Sequence, residues 1–305
     1  MLKHLVILLD ETSVSYCRGK NPYKKASPIP LETLKKAILF GMKENLMIQF
    51  VYPNYDLPKE YVSTIESIDH INIKPAGFAD ADVSVCGTVN EISDKTSVLI
   101  LTKQELFSQS EKISEKVKIA TRLNICISDI GTFEEKDFET YKQILETISN
   151  TVFECFKSGK TPQVNILTDR ILLDKMNNCE AGLENITIAP NGNFYLCPTF
   201  YYENPKNSVG NLDEGLQIKN KQLLKLDHAP LCRKCDAYHC NRCLWLNQQT
   251  TWDINTPSHE QCVVSHLERN ASKKLLEQLQ SIGLFSDKSI EKITYLDPFD
   301  VRKEL

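Results

Sequence analysis

Short apolar runs recur along the first half of the chain, at Leu5–Leu9, Met47–Tyr52, His70–Lys74, Val83–Cys86, Ser97–Leu101 and Leu123–Ser128. They are brief and rich in β-branched residues, the pattern of strands covered on both faces. Several are separated by stretches with a helical period. Pro30–Leu46 opens with proline at a helix-start position and carries Leu34, Ala37, Ile38 and Met42 on one stripe. Lys103–Lys118 has helical character but is mostly polar, which predicts an exposed helix. In Glu134–Ser158 the positions Phe138, Tyr141, Leu145, Ile148, Val152 and Cys155 alternate steps of three and four. That spacing keeps them on one face and predicts a core thiol at Cys155.

Strand–helix alternation at this interval calls for an α/β fold, a largely parallel sheet with helical crossovers, over residues 1–170. No repeat of domain-building length is visible. Past Gly159-Lys160-Thr161-Pro162 one more apolar run, Val164–Leu167, precedes a stretch of different texture at 175–265. The remainder, 266–305, reads as a helical extension. Its helix, about Val264–Ser281, carries Leu267, Ala271, Leu275 and Leu279, and the last twenty or so residues show no clear period.

The 305 residues are 41% hydrophobic and 25% charged, which excludes a disordered or fibrous chain. With 36 basic and 40 acidic residues the net charge is −4, so nothing favours a nucleic-acid partner. Asp10 stops the first apolar run far short of the ~18 residues of a membrane span, and no signal-peptide profile surrounds it. A cytoplasmic location with no membrane partner is expected. The Asn-x-Ser/Thr matches at Asn185 and Asn270 then carry no meaning.

Eleven cysteines change the picture, because seven of them fall between Cys179 and Cys262. In a reducing compartment, clustered thiols read as metal ligands rather than disulfides. Two strand-like runs, Ile186–Ala189 and Asn193–Leu196, flank Pro190-Asn191-Gly192, where Asn-Gly offers the positive φ angles of a tight hairpin. Cys179 precedes this hairpin and Cys197 ends it. Farther on, Cys232-x2-Cys235 and Cys240-x2-Cys243 form two knuckles, and Cys262 follows. A C-x2-C knuckle aims two sulfurs at one ion or cluster. Seven thiolates exceed one tetrahedral zinc and fall one short of two four-cysteine sites. Two zinc ions, with His228, His239 or His259 as an eighth ligand, and two iron–sulfur clusters both remain open at this point.

The string ITIAPNGNFYLCP, then SVGNLDEG, then Cys232-x2-Cys235-x4-Cys240-x2-Cys243 and a last Cys262 resembles a SPASM domain, the auxiliary-cluster module of radical-SAM enzymes that mature peptides. Four residues separate Gly192 from Cys197, as that pattern asks. Two later spacers are each one residue short of it. The resemblance implies one [4Fe–4S] cluster on Cys232, Cys235, Cys240 and Cys262, and a second on Cys179, Cys197 and Cys243. Where some members place a further cysteine, this chain has Ile171-Leu172-Leu173-Asp174, so the second cluster would keep an open position able to receive a substrate thiolate, a small ligand or a cysteine from a partner.

A radical-SAM enzyme carries C-x3-C-x2-C after its first strand, and here that loop holds only Cys17. The second strand, MIQFVYPNYDLP, is not followed by the usual Gly-Gly-Glu. One thiolate cannot retain a catalytic cluster, so Cys17 reads as an ordinary reduced cysteine. The chain therefore resembles a pseudo-radical-SAM protein of the CXXX repeat peptide maturase kind. That implies a partial (β/α) barrel-like sheet, degenerate in its active site, followed by the small cysteine-rich module and a C-terminal helix. It further implies an accessory iron–sulfur protein that binds no S-adenosylmethionine, has no catalytic residues of its own, and partners a true radical-SAM maturase acting on a Cys-containing precursor peptide. A zinc-stabilised peptide- or protein-binding module without redox role is the alternative.

Other groups are weaker. Asp10-Glu11, Glu134-Glu135 and Asp80/Asp82 read as solvated loop or helix-end charges. His239, next to Cys240, is a candidate to touch a metal or one of its ligands. Trp245 and Trp252 are expected to pack over the cluster end. No phosphate loop, Ser/His/Asp set or dinucleotide fingerprint appears.

Overall fold

In the computed structural model, which describes residues 2–176 and 179–290, the apolar runs of the first half become strands whose ends move by a residue. In chain order the elements are β1 (His4–Leu8), α1 (Leu31–Lys43), β2 (Met47–Val51), α2 (Lys59–Ile65), β3 (His70–Pro75), β4 (Val83–Cys86), β5 (Thr96–Leu101), α3 (Lys103–Val117), β6 (Arg122–Ile127) and α4 (Glu135–Lys157). They continue with β7 (Gln163–Val164), α5 (Thr168–Leu172), β8 (Asn185–Ile188), β9 (Phe194–Tyr195), α6 (Pro198–Glu203), β10 (Gly210–Asn211), β11 (Gly215–Leu216), α7 (Leu244–Thr251) and α8 (His259–Ser281). The chain groups into two units, residues 1–87 with 180–225, and residues 88–179 with the chain from 226 onward. Of the seven clustered cysteines, Cys197 belongs to the first unit and the other six to the second. The last residues, for which no period was found, lie largely outside the described residues.

In the first unit the strands run β4-β3-β2-β1-β8-β9, all parallel except β9, which turns back on β8. Leu5 lies opposite Ile48 on one side and Ile186 on the other. A central strand must pair both of its edges and cover both of its faces, so β1 is apolar from Leu5 to Leu8. Leu5, Ile7 and Leu8 are fully buried, with Leu34, Ala37, Ile186 and Ile188 among the same core. The β8–β9 hairpin thus joins the main sheet beside β1. Its turn differs from the expected Asn-Gly pair, since only Gly192 has a positive φ (78°). Gly192 N–H donates to the Ala189 carbonyl at 2.9 Å and Ala189 N–H to the Asn193 carbonyl at 3.1 Å, a longer loop ending in a left-handed glycine.

In the second unit β5, β6 and β7 are parallel neighbours, with α3 and α8 against α4. The α4 stripe is buried as its spacing predicts, Cys155 included. The α3 helix is amphipathic rather than simply exposed, because Leu106, Ile113 and Val117 are buried. The run Val164–Leu167 yields only a two-residue strand. The Asn165 side chain takes over the ladder, accepting from Ile125 N–H at 2.8 Å and donating to its carbonyl at 3.0 Å. Helix α8 starts five residues before the apolar stripe suggests, because Ser258 caps it and accepts from Gln261 N–H. Cys262 is therefore fixed in the first turn of a helix.

Candidate metal centre

Two knuckles and one helical turn build the cysteine site of the second unit. A 3-10 turn over Cys232–Lys234 lets Cys235 N–H donate to the Cys232 carbonyl at 3.0 Å. The Ala237 N–H then donates to Cys235 Sγ at 3.4 Å, and Cys240 N–H to the Ala237 carbonyl at 2.9 Å. Amide-to-sulfur donation of this kind stabilises a thiolate. Cys262 enters from α8. These four cysteines line one cavity of about 30 Å³, together with Met176, Arg242, Gln261 and His266. That exceeds the roughly 10–15 Å³ needed by a single water.

Its electrostatics fit a cationic or cluster guest. Burial first, then the charges of Cys240 and Cys235, push the Cys232 thiol up to about 12, and Arg242 opposes them. Thiolates forced together away from water need positive charge between them. Gln261 Nε2 stands 4.0 Å from Cys240 Sγ, and its Oε1 is buried without a hydrogen-bond partner among the described residues. His266 Nε2 lies 3.6 Å from Cys235 Sγ. The donor set therefore suits a cluster of iron held by cysteine. Among the described residues no group of three or more His, Cys, Asp or Glu side chains closes on a single ion.

The knuckle loop is anchored by charge. Arg269 Nε donates to both oxygens of Asp236 at 3.0 Å and its Nη2 adds a bond of 2.7 Å, while Arg170 reaches the same carboxylate at 3.3 Å. The Arg170 guanidinium also lies 4.4 Å over the Tyr238 ring. Nothing in the sequence pattern singled out Asp236 or His266. His266 was legible only as the position one turn after Cys262 on the same helix face.

The other named residues are placed as follows. Cys179 N–H donates to the Asn241 carbonyl at 2.9 Å, which sets it beside the segment leading to Cys243, the residue before α7. In the first unit, Cys197 caps the start of α6. His239 turns away from the knuckles, its Nε2 donating to Glu268 at 3.0 Å, and Glu268 also accepts from the Tyr141 hydroxyl at 2.6 Å. Trp252 is 91% exposed, so it does not cover the site as expected, and Trp245 is half-buried. Trp252 ends α7 in a left-handed conformation (φ 62°), which turns its side chain out to water.

Of the carboxylates, Asp10 differs from expectation, while Asp80 and Asp82 are exposed loop charges as expected. Asp10 is fully buried, accepting from Thr12 and Ser27 N–H at 2.7 Å each and from the Tyr55 hydroxyl at 2.7 Å. Asp82 accepts from Asn72 N–H at 2.8 Å, and Asp80 pairs with Lys74. Glu134 is a helix-end charge, as read, at the start of α4.

Among the described residues no helix is long and apolar enough to cross a membrane. No family model matches the chain, and no curated protein matches it in sequence. Solved structures do. Native anSMEcpe with bound AdoMet and Cp18Cys peptide is similar over 91% of this chain and 99% of its own, at 13% identity and a TM-score of 0.62. A histidine-tagged anSMEcpe with bound AdoMet is similar over 99% and 98%, at 13% identity and a TM-score of 0.60. Such likeness shows the fold alone, an α/β fold like that of anSMEcpe.

Proposed function

We propose that this chain is an iron–sulfur accessory protein in the maturation of a ribosomally made, cysteine-containing peptide, working with a separate radical-SAM enzyme. The observation that carries the reading is the cavity ringed by Cys232, Cys235, Cys240 and Cys262 in a chain of radical-SAM-like fold. These four would hold one [4Fe–4S] cluster, and Cys179, Cys197 and Cys243 would serve the other. A cluster so bound supplies one-electron transfer or an iron able to take a thiolate. Sulfurs spread around a cavity suit a cluster, where each iron takes one sulfur, better than a tetrahedral zinc, where four meet at one point.

The loop after β1 supports an accessory rather than an independently catalytic role. It is organised by a carboxylate, Asp10, and its single cysteine cannot anchor the three irons that a catalytic cluster requires. The fold neighbours above carry AdoMet and, in one case, a peptide, which makes a peptide the natural partner to test here.

Anaerobic purification tests the reading. Brown protein with iron and acid-labile sulfide is the expected result, with no 5′-deoxyadenosine formed from S-adenosylmethionine by the reduced protein alone. Colourless protein with stoichiometric zinc would instead establish a structural binding module. Release of 5′-deoxyadenosine without a partner would make the chain an enzyme in its own right.

A further inference from the structure

In the first unit the loop after β1 lies directly on α6. Tyr201 donates its hydroxyl to the Glu11 carboxylate at 2.5 Å, and its ring stacks on Tyr23 with centroids 5.4 Å apart and planes at 30°. Tyr202 donates to the Ser13 carbonyl at 3.3 Å. At Gly19 the approach is closest, since a Cβ there would run into Thr199 Cγ2. A larger residue at 19 would require the Thr199 side chain to move.

Cys17 and Cys197 each stand two residues before this crossing, Cys17 before Gly19 and Cys197 before Thr199. The loop bearing Cys17 is held by side-chain hydrogen bonds. The Asn21 side chain donates to the Glu11 and Ser13 carbonyls at 2.8 Å each, and Ser15 Oγ to the Gly19 carbonyl at 2.5 Å. Tyr202, buried at the same crossing, belongs to the helix that Cys197 precedes. Two half-buried thiols thereby lie on the two segments of the first unit that meet at this crossing.

We infer that Cys17 is the missing eighth metal thiolate, a ligand of the same group as Cys197. The inference rests on the proposed reading of the clustered cysteines as metal ligands. It removes two expectations at once, the ordinary reduced cysteine at 17 and the open coordination position beside Cys197. A relic of the loop that holds a catalytic cluster in radical-SAM enzymes would here complete an auxiliary one.

The test uses the full-length chain, reconstituted anaerobically, with metal and sulfide counted and the reduced clusters followed by electron paramagnetic resonance. Cys17→Ala should lose about half of the iron, one four-iron cluster of two, and leave the same residual spectrum as Cys197→Ala. Cys232→Ala should leave the complementary spectrum. Retention of all metal and an unchanged spectrum in Cys17→Ala overturns the inference. Loss of metal in Cys232→Ala with none in Cys17→Ala sinks this inference and spares the proposed function; loss in neither sinks both. If the metal proves to be zinc, the same comparison of zinc counts decides. A second measurement needs no variant. Iodoacetamide should spare Cys17 and Cys197 together in the loaded protein and modify both after chelation, whereas equal modification of Cys17 in loaded and stripped protein rules the ligand out.

Discussion

The Tyr55 hydroxyl donates to the carboxylate of Asp10 at 2.7 Å, tying the segment after β2 to the buried end of β1. Asp10 is fully buried and also collects the backbone N–H groups of Thr12 and Ser27, so one side chain closes the long loop between β1 and α1. Ser13 adds a second tie, its Oγ donating to the Val51 carbonyl at 2.8 Å.

Removing that acceptor leaves three part-buried donors without their partner, each costing about 1 kcal/mol, the lower end of the range for an unpaired group. Asp10→Ala should therefore lower unfolding free energy by at least about 3 kcal/mol, and Tyr55→Phe by about 1 kcal/mol. The double variant should cost less than the sum, because both act on one network. Urea unfolding of the four proteins checks this, and strict additivity would contradict it.

The same tyrosines impose a pH dependence. Burial first, then hydrogen bonding to a carboxylate, raises the pKa of Tyr55 (beside Asp10) and of Tyr201 (beside Glu11) above the ordinary 10.0. Above about pH 10 the unfolded chain releases these protons and the folded chain keeps them, so the unfolded state binds fewer and stability falls as pH rises. The contribution is whole below about pH 10. Melting temperature should decline through the alkaline range, and Tyr55→Phe should flatten that decline.

The knuckle loop should depend on its anchor. Arg269 is buried and bonded to Asp236 through three contacts, so Asp236→Asn leaves a guanidinium poorly compensated. Breaking such a pair costs about 3 kcal/mol at the lower end of the buried range, Asp236 being partly exposed. Metal content after purification should drop with stability. Full metal in a destabilised Asp236→Asn would separate the anchor from the site.

Cysteine variants should divide sharply. Cys235→Ala is expected to lose metal and solubility together, because binding a cluster adds to the folding free energy of the segment that holds it. Cys86→Ala, in the buried part of β4, should keep full metal and lose only a little stability. Wild-type melting and metal content for Cys235→Ala would count against a metal role for the cavity.

Local pattern determined the elements of this protein. The strand runs, the α4 stripe with its buried Cys155, and the knuckle spacing of Cys232, Cys235 and Cys240 were legible because period and spacing act within a few residues. Short helices such as α2, α6 and α7 were not, since six to eight residues carry too little periodic signal, and α6 is held by what Tyr201 and Tyr202 reach. The placement of β8 beside β1 was decided by a long-range need, the open edge of a central strand. Burial of Asp10, the outward turn of Trp252 and the crossing of Gly19 with Thr199 were likewise decided only in three dimensions. A carboxylate or a thiol reads the same in sequence whether water or a distant segment surrounds it, and the energies that distinguish the two come from groups tens to hundreds of residues away.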